Sequence, residues 1–329
     1  MSQPLTLIVP LLDRHELTDR SLLALQKQRC EYKIIVADGS RIPFSGSYDL
    51  DIEYFYNGFD ENIAQYMNKM HKAMSMVKTP LSMVFDNDDI IDLKGIRNGI
   101  SFLSENEEYS TYQNDVRPIQ IEPEIKLEES IYTQKSIEQE APRDRLFDVI
   151  ENFNSFNYAI FRSNIVKCFF EILDSLKNDD FQLFQKSWAY VSAVFGKCKR
   201  LHNDSYYYFI PGNSILQNRV HKFSSWVDTR YWKSSCPQII SIVGNLYEKI
   251  YEQDVREHFF RNFMNEICKK NNLQFVGEDY IDIAVSTSYV YDAQIQETIS
   301  RYSFKTEKFA YSISCEAKHD SFIREIING

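Results

Sequence analysis

Long apolar runs are what this 329-residue sequence most plainly lacks. None approaches the ~20 consecutive apolar residues that a membrane-spanning helix needs, and Met1-Ser2-Gln3-Pro4 leads into a short strand-like segment instead of a signal peptide. The expected location is cytoplasmic. The six cysteines, Cys30, Cys168, Cys198, Cys236, Cys268 and Cys315, lie far apart, with no C-x-x-C pair and no Cys/His cluster of zinc spacing. They are expected to be reduced and partly buried. Positive charge is short as well: 37 Lys and Arg stand against 47 Asp and Glu, a formal charge of −10. Nucleic acid is thereby excluded as the main partner, because a phosphate backbone calls for a basic surface. Internal repeats and Gly-rich linkers are also missing.

What is present is enough apolar material for a substantial core, 43% of residues, in one large domain or two ordinary ones. Leu5 to Pro10 is a continuous apolar run that suits a strand buried on both faces of a parallel sheet, with Pro10 ending it. Asp13 to Gln28 has helical spacing, with Thr18 or Asp19 available as cap. Tyr32 to Ala37 is a second strand that stops at Asp38-Gly39-Ser40, giving a right-handed βαβ unit. Ile52 to Tyr56 predicts a third strand, Asn62 to Val77 a helix with Met67, Met70 and Met74 as core filling, and Leu81 to Phe85 a fourth strand. In such sheets ligands bind beyond the carboxyl ends of the strands. The segments Pro10 to Arg14, Asp38 to Ser40 and Asp86 to Asp89 therefore share one edge.

The loop Asp86-Asn87-Asp88-Asp89 admits two readings. Three carboxylates so close raise the cost of ionising them all, and a hard divalent cation shared with a substrate diphosphate would relieve it. Alternatively, Asp88 or Asp89 caps the helix suggested by Leu93, Ile96, Ile100 and Leu103, with Asn87 in an Asx turn.

From Ser104 to Asp144 apolar residues are isolated and acids predominate, which predicts a long, partly ordered insertion. Pro142 opens a helix, Asn157 to Arg162 alternates as a strand, and Ser163 or Asn164 caps the helix Ile165 to Leu176. Asn178-Asp179-Asp180 precedes an amphipathic helix, Phe181 to Phe195, that ends at Gly196. Capping explains one of the two aspartates. The cluster Tyr206-Tyr207-Tyr208-Phe209 is expected in the core and an edge strand. Three further helices, at 239–250, 255–267 and 281–300, make residues 223–329 a helical C-terminal region: a cap, a homodimer surface or a peripheral platform at the inner membrane.

Ile8-Val9-Pro10 with Asp13-Arg14, Val36-Ala37-Asp38-Gly39-Ser40, and Asp86-Asn87-Asp88-Asp89 after an apolar strand together resemble the markers of a GT-A glycosyltransferase. The nearest group is the family 2-like bacterial enzymes of surface-polysaccharide assembly, which Pro142-Arg143-Asp144-Arg145-Leu146 and Gly196-Lys197-Cys198-Lys199 also resemble. The resemblance spans residues 5 to 225. It implies an α/β, Rossmann-like GT-A fold with a mostly parallel central sheet over residues 1–222. It implies too that Pro10, Leu11, Asp13, Arg14, Asp38, Gly39, Asn62, Asp86 and Asn87 bind the nucleotide, Asp38 accepting from the base. Asp88 and Asp86, joined by His221, would hold Mn²⁺ or Mg²⁺; Arg219, His221 and Lys222 would fold over the diphosphate; Asp180, or else Asp179, would be the general base. Where many relatives carry Thr-Tyr-Asn this chain has Leu11-Leu12-Asp13, so no aromatic ring stacks on the base there.

The partners implied are a nucleotide-sugar donor and a glycan or lipid-linked acceptor. A cation aimed at the departing phosphate and a carboxylate that takes the acceptor's proton suit an inverting transfer. Two other classes remain: a nucleotidyltransferase, which usually shows a Gly-rich phosphate loop that Leu11 to Arg14 lacks, and a binding protein on a degenerate transferase fold.

Overall fold

The structure is a computed structural model that describes residues 3–120, 126–127, 135–153, 155–209, 232–270 and 278–304. The first half alternates as expected: β1 (Leu5–Leu11), α1 (His15–Lys27), β2 (Lys33–Asp38), β3 (Ile52–Tyr56), α2 (Ile63–Met76) and β4 (Leu81–Val84). There follow β5 (Ile90–Ile91), α3 (Leu93–Glu105), β6 (Tyr109–Gln120), β7 (Lys126–Leu127), α4 (Pro142–Glu151), β8 (Ile160–Arg162), α5 (Ser163–Leu176), α6 (Phe181–Phe195) and β9 (Lys197–Phe209). Helices α7 (Trp232–Tyr251), α8 (Arg256–Lys270) and α9 (Glu278–Ser300) complete the described chain.

The sheet runs β3-β2-β1-β4-β8-β6-β9-β5, with β7 beside β6. Strands β3, β2, β1 and β4 are mutually parallel, and β8 is antiparallel to both β4 and β6. Strand β9 then pairs parallel with β6, so its carboxyl end returns to the edge where β1, β2 and β4 end. All of β1 is buried, as a strand covered on both faces must be. Its side chains alternate: Ile8 joins the core of α2, α5 and α6, while Leu7 and Val9 join the opposite cluster with Ile96, Ile100 and Tyr112.

Several local expectations are corrected. Pro10 does not end β1, which runs on to Leu11; β4 pairs only as far as Ile8, so Pro10 sits where one flank of the ladder has already ended. Neither Thr18 nor Asp19 caps α1, whose N-cap is Arg14 in a left-handed conformation without a side-chain bond. Neither Ser163 nor Asn164 caps α5, where Arg162 holds that position. Within the stretch expected as an insertion, β6 is a long strand deep in the sheet. Two of its buried polar residues are held from other elements: Asn114 donates to the Gly95 carbonyl at 3.1 Å, and Gln113 accepts from the Arg200 guanidinium. Among the described cysteines, Cys168, Cys198 and Cys236 are buried and unpaired, and Cys30 is half-buried.

The C-terminal helices extend the sheet's own core. Ile239, Ile240 and Val243 of α7, Phe259 and Phe263 of α8, and Ile295 of α9 belong to one continuous cluster with Met70, Phe169 and Trp188. No helix among the described residues is long and apolar enough to cross a membrane.

Gly196 lies between α6 and β9 in extended backbone, where φ 175° suits any residue. Its constraint is space: a Cβ there would sit 2.6 Å from the Glu108 carbonyl oxygen and 3.0 Å from the Ser110 nitrogen, both of the backbone. Gly196→Ala should therefore lower the unfolding free energy by about 1–3 kcal/mol. Urea denaturation checks this, and an unchanged midpoint would show that β6 yields without cost.

Candidate active site

The chain builds β1, β2 and β3 outward to one side and then returns to place β4 on the other. Ligands of open α/β sheets bind at such a reversal. The loops that flank it follow β1 and β4.

After β1 both Asp13 (φ 54°) and Arg14 (φ 58°) occupy the left-handed region, which non-glycine residues rarely adopt. Their surroundings enforce it. The Asp13 backbone N–H donates to Ser40 Oγ at 2.7 Å, and its carboxylate accepts from the Arg41 backbone N–H at 3.0 Å and pairs with the Arg41 guanidinium. Arg14 reaches across the crevice to pair with the Asp88 carboxylate. Pro10 and Leu11 are buried at the end of β1, directly before this loop.

In the loop after β4, Asp86, Asp88 and Asp89 each offer an oxygen within 4.8 Å of the others. Asp86 Oδ2 accepts from the Tyr158 hydroxyl at 3.1 Å. Asp88 is held by Arg14, and its carbonyl accepts from Arg20 at 2.8 Å. Asp89 is fully buried, accepting from the Tyr206 hydroxyl at 2.5 Å and the Phe209 backbone N–H at 3.0 Å. Asn87 donates to Thr18 Oγ1 at 2.8 Å, which pins the loop to α1. Burial first, and the neighbouring Asp88 second, push the Asp86 carboxyl up to about 6. Burial and the same neighbours raise Asp89 well above the usual carboxylate range. Neither Asp88 nor Asp89 caps the next helix: Asp92 does, accepting from the Lys94 N–H at 2.8 Å. The oxygen-only donors of Asp86 and Asp88 fit a hard divalent cation, and Arg14 supplies the facing positive charge.

Asp38 ends β2 with no exposed surface. Its carboxylate accepts from the backbone N–H groups of Ser40 and Phe44, at 2.8 and 2.7 Å, and from the Tyr54 hydroxyl at 2.8 Å. In this conformation it shapes the loop after β2. Gly39 is required by proximity, since a Cβ would fall 2.2 Å from the Asp60 carboxylate. Asp60 lies 2.5 Å from Lys69 Nζ, and Lys69, wholly buried, also donates to the Leu11 carbonyl at 2.9 Å. Burial raises the Asp60 carboxyl and lowers the Lys69 ammonium. Asn62 is the N-cap of α2, accepting from the Gln65 N–H at 3.0 Å.

The second acidic pair is divided by the structure. Asp179, exposed, accepts from the Ile63 N–H at the start of α2 at 2.7 Å. Asp180 is the buried N-cap of α6: one oxygen accepts from the Gln182 N–H at 2.9 Å, the other from the Ser235 hydroxyl at 2.5 Å. Arg219, His221 and Lys222 lie outside the described residues.

Sequence reasoning missed Tyr158, Tyr206, Asp60 and Lys69. A signal existed for Lys69, a lone lysine on the apolar stripe of α2, and for Tyr206, an aromatic with a polar tip in a buried run.

A curled, mostly parallel sheet, flanked by helices, with an acidic loop closing its fourth strand is a GT-A fold. Among solved structures the chain is similar to S. aureus TarS 1–349, with a TM-score of 0.52 and 12% identity over 91% of this chain and 92% of that one. It is equally similar to TarS 1–349 in complex with UDP-GlcNAc, at 11% identity and a TM-score of 0.52 over the same coverage. At such identities the likeness is one of fold. No protein-family model and no curated protein matches the sequence.

The raised Asp86 carboxyl makes a signed prediction. Between its ordinary 3.8 and about 6 the folded protein holds a proton that the unfolded chain has released, so stability falls as pH rises through that window. Asp86→Asn should flatten that slope in metal-free urea titrations at pH 4 to 7, and a slope equal to wild type would place the proton elsewhere.

Proposed function

We propose that this protein is a metal-dependent, inverting glycosyltransferase that moves a sugar from a nucleotide-diphosphate donor to a hydroxyl of a glycan or lipid-linked acceptor in bacterial surface-polysaccharide assembly. The observation that carries the reading is the carboxylate triad, with oxygens within 4.8 Å of one another, at the strand-order reversal of a GT-A sheet. UDP-GlcNAc, the ligand of the similar TarS complex, is the first donor to test.

Asp86 and Asp88 hold Mn²⁺ or Mg²⁺ in this reading, and the ion when bound stabilises charge on the departing phosphate. Arg14, already against Asp88, places a guanidinium fork beside the diphosphate. Arg219, His221 and Lys222 are assigned to the same diphosphate, and His221 also to the metal, by the family resemblance alone. The 12–14 and 38–41 loops, joined through Asp13 to Ser40 and Arg41, flank the nucleoside. The acceptor hydroxyl loses its proton to the Asp179-Asp180 pair, on the face opposite the nucleotide, so the anomeric centre inverts. Asp180 is fixed by its helix and by Ser235, and Asp179 is the more exposed.

Calorimetry with UDP-GlcNAc and a panel of nucleoside diphosphates should show binding that strengthens with Mn²⁺, and Asp88→Ala should abolish the metal-dependent part. Binding indifferent to both would end the metal assignment. Asp180→Asn keeps a good N-cap, so donor affinity should persist while turnover falls by about 10²–10⁴-fold. Unchanged turnover would move the base to Asp179.

A further inference from the structure

Two tyrosines stand behind the acidic loop, and the transfer reaction as proposed leaves them without a role. Tyr206, in β9, is 1% exposed. Its hydroxyl receives the Asp86 backbone N–H at 3.1 Å and gives its own proton to Asp89 Oδ2 at 2.5 Å. An oxygen that accepts on one side and donates on the other fixes a direction, here from Asp86 through Tyr206 to Asp89. The second oxygen of Asp89 is engaged by the Phe209 N–H at 3.0 Å, and its carbonyl receives the Ser21 hydroxyl at 2.6 Å. Asp89 thus carries a protein donor on each carboxylate oxygen and has no exposed surface. Asp86 differs: only Oδ2 has a hydroxyl donor, from Tyr158 at 3.1 Å, and Tyr158 stacks on Tyr206 with ring centroids 4.2 Å apart.

We infer that Asp89 is not a metal ligand: with Tyr206 and Tyr158 it forms a positioning set that fixes the backbone and carboxylate of Asp86, the ligand. The inference rests on the metal-dependent reading above. Three acids in one loop thereby divide into two that meet the cation and one that anchors them. Groups that orient a ligand from behind commonly carry one to two orders of magnitude of metal affinity. Asp89 acts on Asp86 through Tyr206, whose hydroxyl lies between them, so the two belong to one coupled unit.

The test is Mn²⁺ binding by the full chain with UDP present, followed by the electron paramagnetic resonance of free Mn²⁺, with thermal midpoints as the check on folding. Asp88→Asn serves as the lost-ligand reference. Tyr206→Phe and Asp89→Asn should each weaken Mn²⁺ by about 10–100-fold, less than Asp88→Asn does, and the double variant should lose no more than the weaker-binding single. Tyr158→Phe keeps the ring stack and removes only the hydroxyl, so a loss of about tenfold is expected there even if Tyr206→Phe fails to fold. Asp89→Asn matching Asp88→Asn, or losses that add in the double variant, would make Asp89 a ligand and overturn the inference; so would wild-type affinity in Tyr158→Phe and Tyr206→Phe. Wild-type protein that binds no Mn²⁺ would remove the metal-dependent reading itself, and the positioning set with it.

Discussion

Three carboxylates held within 4.8 Å at the end of one buried strand repel one another by on the order of 3 kcal/mol per ionised pair, at an effective dielectric of about 20. Much of the surrounding structure answers that repulsion. Arg14 comes from the loop after β1, Arg20 from α1, Tyr158 from the approach to β8, and Tyr206 and the Phe209 N–H from the end of β9. These donors lie far apart in sequence, and only the strand order brings them to one edge. The antiparallel insertion of β8 matters here, because it delivers Tyr158 from the strand's beginning where its neighbours deliver their ends.

The expected β/α half was legible because its signals were local: β1, β2 and β4 are continuous apolar runs, and α2 has clean helical spacing. The acidic loop was legible for the same reason. Caps were misassigned at α1 and α5 because both helices start from arginines with no side-chain cap, a choice made by tertiary contacts such as the ion pair of Arg14 with Asp88. Strand β6 reads as an insertion because it carries buried polar residues such as Asn114 and Gln113, whose partners, Gly95 and Arg200, lie in other elements. The anchoring of the loop after β2 by Asp38, to which Tyr54, Ser40 and Phe44 all donate, left no mark in the sequence. Pairings across 16 or 120 residues, Tyr54 with Asp38 or Asp86 with Tyr206, leave no periodicity to find.

The second acidic pair shows how the C-terminal helices reach the site. Asp180 is bonded to Ser235, and Asn178 to Gln238, both near the start of α7, while Asp179 holds the first turn of α2. A shift of α7 would therefore be felt at the start of α6 and, one residue away, at the start of α2. The buried Arg256, which pairs with Glu248, Asp254 and Asp292, ties α7, α8 and α9 into a single block behind that contact.

The continuous core also bears on how such a chain can change over time. Ile239, Ile240, Val243, Phe259 and Ile295 fill the same cluster as Met70 and Trp188, so a chain ending after β9 would leave a broad oily face on α4, α5 and α6 exposed to water. The C-terminal helices cannot be traded as a cassette. Any change in them must keep this shared interior filled, whereas the loops at the sheet edge carry no such constraint.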